Sequence, residues 1–518
     1  MMILIRGIAA ACMLALSWAH PGHAQEHDRP VAPPATQSAP SVEKNASQAA
    51  DEAPVVTQHQ IAIADKPLAY TATAGTLPLI DDTGKVLAKI FFVAYAKQDS
   101  AADPHRPITF AFNGGPGASS LWLHLGVGPK HVAVPKDGTA LPQSTVLTDN
   151  PATWLPFTDL VFIDPVGSGY SRAAEGVDAQ QFYEVVRDVD AAAAFVRRYL
   201  THHDRWLSPK FIVGESYGTT RAAALVNRLQ QANGINMNGV MLLSSVLDFQ
   251  TIAFEAQNVL PYVLALPSYA ATAWYHGTRS GDLASVLRKA EQWAMSDYLL
   301  ALSKGETLSV TERDRIAAQL VQTIGLTREI VLERRLRIGP LNFGKHFLRS
   351  GGRMLGRFDG RVTASDSGAE RTSETDPSFF LVTGPWVEAL NHHLRETLQY
   401  RSELRYEYLS QDANRSWKWR TGGQGYLYVA DELAEAMARD PRLRVFAAAG
   451  YYDLATPYFA QRYAFDHMQL DAGLRGHLTF VAYPSGHMIY TDPAAAMKLR
   501  NDVEQFVRCA AEQACGGS

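Results

Sequence analysis

One short stretch of the 518-residue sequence has the residue types for covalent chemistry: Phe211-Ile212-Val213-Gly214-Glu215-Ser216-Tyr217-Gly218. An apolar run leads into G-x-S-x-G and out into a helical pattern (Ala222, Leu225, Val226, Leu229), so Ser216 is expected on a tight strand-to-helix turn that lifts its hydroxyl above a sheet. Glycines on either side let the backbone take that strained shape, and the helix N-terminus behind it favours negative charge. A serine hydroxyl is a poor nucleophile alone; it needs a base, and an acid to orient the base. On such an elbow the chain order is serine, acid, histidine. Asp453, in Gly450-Tyr451-Tyr452-Asp453, and His487, in Gly486-His487-Met488, follow in that order, each just past an apolar run. Alone, either would read as a loop-capping carboxylate or a satisfied loop histidine; together behind Ser216 they read as a triad.

A third stretch, Asn113-Gly114-Gly115-Pro116-Gly117-Ala118-Ser119-Ser120, comes directly after the apolar run Ile108–Phe112. A glycine-rich turn there can aim backbone N–H groups at a substrate and, with the N–H of Tyr217, supply an oxyanion hole, in which one lost donor costs about 3 kcal/mol of transition-state stabilisation. A phosphate loop is the competing reading, but no G-x-x-x-x-G-K-[ST] pattern is present and Pro116 interrupts the glycines.

The elements that must hold these residues are legible as patterns. Leu77–Ile80 and Val86–Tyr95 flank Asp-Asp-Thr-Gly-Lys, the turn chemistry of a hairpin. Short unbroken apolar runs follow at Ile108–Phe112, Leu160–Ile163, Phe211–Val213, Val240–Leu243, Val445–Ala449 and Leu478–Tyr483. Strands apolar on both faces belong in a sheet covered by helices on both sides. Helical patterns lie between them, such as Phe182, Val185, Val189, Ala193, Val196 and Leu200. Strand and helix alternate, which makes the class α/β with a mostly parallel central sheet flanked by helices. Residues from about 250 to 380 break that rhythm: Asp282–Leu302 and Val310–Leu336 read as helices, followed by a Gly/Arg-rich stretch, Arg349–Arg361. This segment reads as a largely helical cap insertion over the C-terminal strand ends, where ligands of α/β sheets bind.

Composition removes other classes. With 48 Lys+Arg against 52 Asp+Glu the net charge is −4, so no basic surplus awaits nucleic acid, and Arg334-Arg335-Leu336-Arg337 and Arg349–Arg361 read as solvated faces. Three cysteines, Cys12, Cys509 and Cys515, are too few for a disulfide scaffold or a four-cysteine metal site. His202-His203-Asp204 lacks a third ligand at convincing spacing, so no metal and no cofactor is implied.

The stretches above resemble the serine carboxypeptidase family of α/β-hydrolases, in its bacterial form. The resemblance is carried by Asn113 to Ser120, by Asp164-Pro165-Val166-Gly167-Ser168-Gly169-Tyr170-Ser171, by Gly214 to Tyr217, by Gly450 to Asp453 and by Gly486 to Met488, in family order. It implies the α/β-hydrolase fold and a triad of Ser216, Asp453 and His487. It also implies oxyanion N–H groups from Gly115 and Tyr217, and a grip on the substrate's free C-terminal carboxylate by Asn113, the Gly114 N–H and Glu215. The activity implied is a serine-type carboxypeptidase that releases C-terminal residues from peptides or proteins through an acyl-enzyme on Ser216. Two carboxylates share a hydrogen bond only if one is protonated, so Glu215 must have a raised pKa in that role. The chain departs from many family members in three places: Ala111 stands for a tryptophan, Ala118 for a half-cystine, and Gly126 for a second glutamate, leaving Glu215 without a like-charged neighbour. His124 is near enough in sequence to act on Glu215 instead. Esterases and acyltransferases related to the family use the same triad. A proline-type aminopeptidase also carries G-G-P-G, though usually behind a histidine where this chain has Asn113. Three intact triad residues argue against a non-catalytic binding module.

At the N-terminus, Arg6, the apolar run Ile8 to Ala19, and Gly22 and Ala24 before Gln25 read as a secretory signal over residues 1–24. The run falls short of the about 20 residues that cross a bilayer. Residues 25–53, rich in Pro, Ala, Ser and Gln, read as a flexible leader, and 54–518 as the peptidase domain with its cap. Export to the periplasm or beyond follows, with no stable membrane insertion once the signal is cleaved. Cys509 and Cys515 then remain, either bridged or as free thiols.

Overall fold

Turn chemistry sets the first register. In the computed structural model, which describes residues 53–98, 103, 105–132, 147–366, 376–419 and 425–512, Asp81 Oδ1 accepts from the Thr83 and Lys85 N–H groups at 2.9 and 3.0 Å. β1 (Val55–Ile63), β2 (Lys66–Ile80) and β3 (Val86–Lys97) thereby form an antiparallel meander. The segments read as signal and leader lie outside the described residues, save residue 53, as do Cys12 and Cys515; Cys509 is disulfide-bonded.

The chain continues through β4 (Ile108–Phe112), α1 (Leu121–Val127), the short pair β5 (Lys130–His131) and β6 (Thr148–Asp149), then β7 (Asp159–Ile163) and β8 (Arg172–Ala173). Next come α2 (Val185–His202), β9 (Lys210–Glu215), α3 (Tyr217–Asn233) and β10 (Gly239–Leu243). After a long helical passage and the small hairpin β11 (Arg353–Leu355) and β12 (Thr363–Ser365), the chain returns as β13 (Arg444–Gly450) and β14 (Leu478–Tyr483). The main sheet has the order β1-β2-β3-β7-β4-β9-β10-β13-β14, parallel from β7 onward, with β8 paired to β3. This is the mostly parallel α/β sheet that the apolar runs require.

Alternate residues of one strand feed two cores. Ile108, Phe110 and Phe112 of β4 pack with Phe195 and Val196 of α2 and Leu225 and Val226 of α3. Ala111 faces the opposite layer, with Leu121 and Leu123 of α1 and Leu499 and Val503 of the final helix, Pro493–Glu512. Burial on both faces is why these strands read as unbroken apolar runs.

Between β10 and β13, α4 (Leu260–Tyr275), α5 (Leu283–Trp293) and the helix Val310–Ile324 build a third core from residues such as Leu264, Leu287 and Leu320. That core extends onto Ala449, Tyr452 and Leu454 at the C-terminal end of β13. The expected helix over 310–336 stops at Ile324, because Gly325 adopts φ +80° as a left-handed cap, and a new helix starts at Arg328. No helix among the described residues is long and apolar enough to cross a membrane.

Candidate active site

β9 and α3 meet at Ser216, whose φ of 58° and ψ of −129° are rarely taken by a residue with a side chain. The turn is this sharp because strand end and first helical turn touch backbone to backbone: a Cβ on Gly214 would sit 2.1 Å from the Gly218 carbonyl oxygen. The Ser216 N–H donates to the Leu243 carbonyl at 3.0 Å, tying the elbow to the end of β10. The hydroxyl does not cap α3, which leaves it free to react.

On the same edge, the loops after the parallel neighbours β13 and β14 bring Asp453 and His487 together. Asp453 is 0% exposed and His487 3%. Asp453 Oδ2 accepts from His487 Nδ1 at 2.7 Å, while Asp453 Oδ1 accepts from the N–H groups of Ala455 and Thr456 at 2.8 and 2.9 Å. With Nδ1 committed to the acid, Nε2 is the nitrogen left for Ser216. Burial pulls the His487 pKa down, but the charge and hydrogen bond of Asp453, aided by Glu215, outweigh it and leave it raised, with Arg357 opposing. The hydrogen bond between Ser216 and His487 is not closed among the described residues; in unliganded hydrolases such contacts tighten when substrate fills the site.

The loop after β4 lies directly over the elbow. A Cβ on Gly114 would be 2.4 Å from the Tyr217 nitrogen, so only glycine permits this approach of the loop to the elbow. Two contacts pin the loop, and the first is itself braced by an ion pair. Arg221 of α3 donates from Nη1 to the Asn113 carbonyl at 2.9 Å and from Nε to Asp188 at 2.7 Å. The Ser120 N–H donates to Asp164 Oδ1 at 2.8 Å, and burial pushes the Asp164 carboxyl up to about 7.

Asn113 then reaches across: its Nδ2 donates to Glu215 Oε1 at 2.8 Å, while its Oδ1 accepts from the Leu123 N–H at 2.9 Å. Glu215 is 4% exposed, and burial pushes its carboxyl up to about 7. Asp453 pushes the same way, against His487, Tyr490 and Asn113. The site therefore holds, side by side, a strained serine, a buried acid–histidine pair, an amide-bearing loop and a carboxyl that keeps its proton near neutrality.

A model of a family described as serine carboxypeptidase matches residues 66–320. Over that stretch, just under half of its length, the chain matches the serine carboxypeptidase family. Curated members of the family align over limited stretches. Serine carboxypeptidase-like 8 of Arabidopsis thaliana is 28% identical over 185 residues, 34% of this chain and 40% of that protein. Pheromone-processing carboxypeptidase KEX1 of Saccharomyces cerevisiae is 33% identical over 155 residues, 28% of this chain and 20% of its own. These matches thus span well under half the length of the relatives. The crystal structure of KEX1, a prohormone-processing carboxypeptidase, superposes with a TM-score of 0.53 at 16% identity, over 85% of this chain and 91% of that one. That likeness shows the α/β-hydrolase fold. The family match covers the Asn113 loop and Ser216 but ends before Asp453 and His487, which the fold brings to the same edge.

Several residues that shape this site were not singled out from the sequence. The Thr456 hydroxyl lies 2.7 Å from Asp453 Oδ2 and 3.2 Å from His487 Nδ1. The Phe358 carbonyl accepts from the His487 N–H at 2.7 Å, and its ring lies against the imidazole, centroids 5.0 Å apart. Part of the Arg349–Arg361 stretch is thus no solvated face: Arg361 binds Asp359 at 2.8 Å, Asp492 at 2.9 Å and the Pro484 carbonyl at 3.0 Å, over the Tyr452 ring. His124 is turned elsewhere, with Nε2 2.6 Å from the Tyr95 hydroxyl and its ring stacked on Phe162. Thr456 had a local signal, lying three residues after the acid as a capping residue would. Phe358 and Arg361 had none.

Proposed function

We propose that the protein is an exported serine carboxypeptidase that removes C-terminal residues from peptides through an acyl-enzyme on Ser216. The hydrogen bond from Asn113 Nδ2 to Glu215 Oε1 beside the elbow carries this reading. A general acyl hydrolase needs a nucleophile and an oxyanion hole but has no use for a buried, proton-holding carboxyl next to them. The Ser216 hydroxyl attacks the scissile carbonyl as His487 Nε2 takes its proton. The oxyanion accepts from the N–H groups of Gly115 and Tyr217, and His487 returns the proton to the departing amine. Water then repeats the sequence and frees the acyl chain. The terminal carboxylate of the substrate rests on Asn113, the Gly114 N–H and the protonated Glu215. The same reading assigns residues 1–24 to a cleaved signal, 25–53 to a leader and about 250–380 to a cap over the site.

The sign of the pH dependence follows. Below about 7 Glu215 keeps its proton and donates to the substrate carboxylate; as pH rises through that value it becomes an anion facing an anion, and grip is lost. The test compares a free-acid peptide with its C-terminal amide in wild type and Asn113→Ala. The free acid loses on the order of 10-fold or more in kcat/KM, the worth of a charge-assisted hydrogen bond, and the amide far less. Equal losses on both would leave an acyl hydrolase of the esterase kind, without carboxylate recognition.

A further inference from the structure

Three residues past His487 the chain turns through Ile489–Thr491 and carries Tyr490 in beside Glu215. The Tyr490 ring occupies the space at position 126: a Cβ on Gly126 would sit 2.4 Å from Tyr490 Cδ2. The ring also leans on Trp386, centroids 6.1 Å apart. The buried hydroxyl lies beside the Glu215 carboxyl and the Asn113 amide, near enough to stabilise the carboxylate but short of the distance and angle of a formed hydrogen bond. Both Tyr490 Oη and Glu215 Oε2 have no partner among the described residues. Two buried oxygens in this state call for completion, by each other or by a ligand. Because Asn113 already holds Oε1, Oε2 is the oxygen left to meet a substrate carboxylate.

We propose that Tyr490 is a positioning residue for carboxylate recognition: its hydroxyl donates to Glu215 Oε2 when that carboxyl is ionised and leaves it to the substrate when it is protonated, so Tyr490 sets how far up the pH scale a free peptide terminus is held. The proposal rests on the reading of Asn113 and Glu215 as the carboxylate grip. The groups that face Glu215 come from four places. Asn113 stands on the loop after β4, Asp453 on the loop after β13, His487 on the loop after β14, and Tyr490 on the turn beyond it. Asp453 favours the proton on Glu215, whereas His487, Tyr490 and Asn113 favour its loss. Taking away the phenol removes one stabiliser of the anion, so the proton stays on to higher pH. The ring stays in place in Tyr490→Phe, which keeps the packing on Gly126 and Trp386.

The experiment measures kcat/KM for a free-acid peptide and the matching ester across about pH 5–9 in wild type, Tyr490→Phe and Glu215→Gln. In Tyr490→Phe the alkaline fall for the free acid moves up by about one pH unit, the size of one lost hydrogen bond to a carboxylate, while the ester profile keeps its position. In Glu215→Gln the fall is abolished. If Glu215→Gln removes the fall but Tyr490→Phe does not move it, or moves it equally for the ester, the role of Tyr490 is overturned alone. A fall that persists in Glu215→Gln overturns the carboxylate grip and the proposal with it.

Discussion

Between Asn113 and Arg221 the site is assembled from backbone. Gly114 lies where a Cβ would meet the Tyr217 nitrogen at 2.4 Å, Gly214 where one would meet the Gly218 carbonyl at 2.1 Å, and Ser216 is held at a positive φ by its neighbours in the sheet. Between Arg357 and Tyr490 side chains do most of the joining, although Gly450 also lies where a Cβ would meet the Gly486 carbonyl oxygen at 2.1 Å: Asp453 on His487, Phe358 against the imidazole, and Arg361 clamping Asp359 and Asp492 beneath the Tyr452 ring. The contrast has a consequence for tolerance. A backbone-built half fails at the first added carbon, whereas a side-chain-built half loses function in proportion to the partner removed. Substitutions on the two sides should therefore differ in kind and not only in size.

The largest effect is expected at the acid. Asp453→Asn keeps the shape of the carboxyl but reverses what it can hold: the amide no longer fixes the Nδ1 proton of His487, and the imidazole cannot take the proton of Ser216. Turnover should fall by on the order of 10⁴, the size such a change has in a serine triad, with the fold intact by circular dichroism. A loss below about 10-fold would move the orienting role from Asp453 to another group.

The next effect tests the backbone half. Gly114→Ala adds one methyl against the Tyr217 and Gly218 nitrogens and the Glu215 carbonyl. Since none of these is a flexible side chain, the loop must lift off the elbow and carry the Gly115 N–H with it. Turnover on ester and free-acid substrates alike should fall by about 10²–10³, the range for loss of one oxyanion donor. Near-normal turnover would mean that the loop has slack, and the proposed contrast between the halves would collapse.

How much of this was readable follows the same division. The elbow, the Asn113 loop and the order of Ser216, Asp453 and His487 were legible because glycines and turn residues at fixed spacing encode backbone geometry locally. The parallel strands were legible because burial on both faces leaves an unbroken apolar run. β1 was missed: Val55–Ile63 is half exposed, with Thr57, Gln58, His59 and Gln60 at its centre, and it lacks the apolar density of the inner strands. Tyr490, Phe358 and Arg361 were missed because their partners lie far off in sequence, and no spacing rule ties Arg361 to Asp492 or Tyr490 to Gly126. Arg361 was read with its neighbours as a solvated charge, an inference from composition that cannot see two carboxylates folding back onto one guanidinium.

The smallest effect, and the sharpest test of independence between the halves, is Arg361→Ala. Its guanidinium joins the 357–361 segment to the start of the final helix through Asp492, and to the loop bearing His487 through the Pro484 carbonyl. Removal leaves the Asp359 and Asp492 carboxylates, only 13% and 26% exposed, without their cation. A cost of about 1–3 kcal/mol in stability is expected, below that for breaking a fully buried pair because water reaches Asp492. The segment still donates and accepts through its backbone, with the Phe358 carbonyl on the His487 N–H and the Gly360 N–H on the Tyr452 carbonyl. The imidazole should therefore drift and not collapse. At a temperature well below melting, kcat should fall by on the order of 10-fold, the cost of a fraction of an ångström in a reacting group. KM for a free-acid peptide should hold, because Asn113 and Glu215 belong to the other half. A rise in KM that tracks the fall in kcat would show that the brace under His487 also supports the carboxylate grip, and Tyr490, next to Glu215 and three residues beyond His487, is the residue through which that coupling would run.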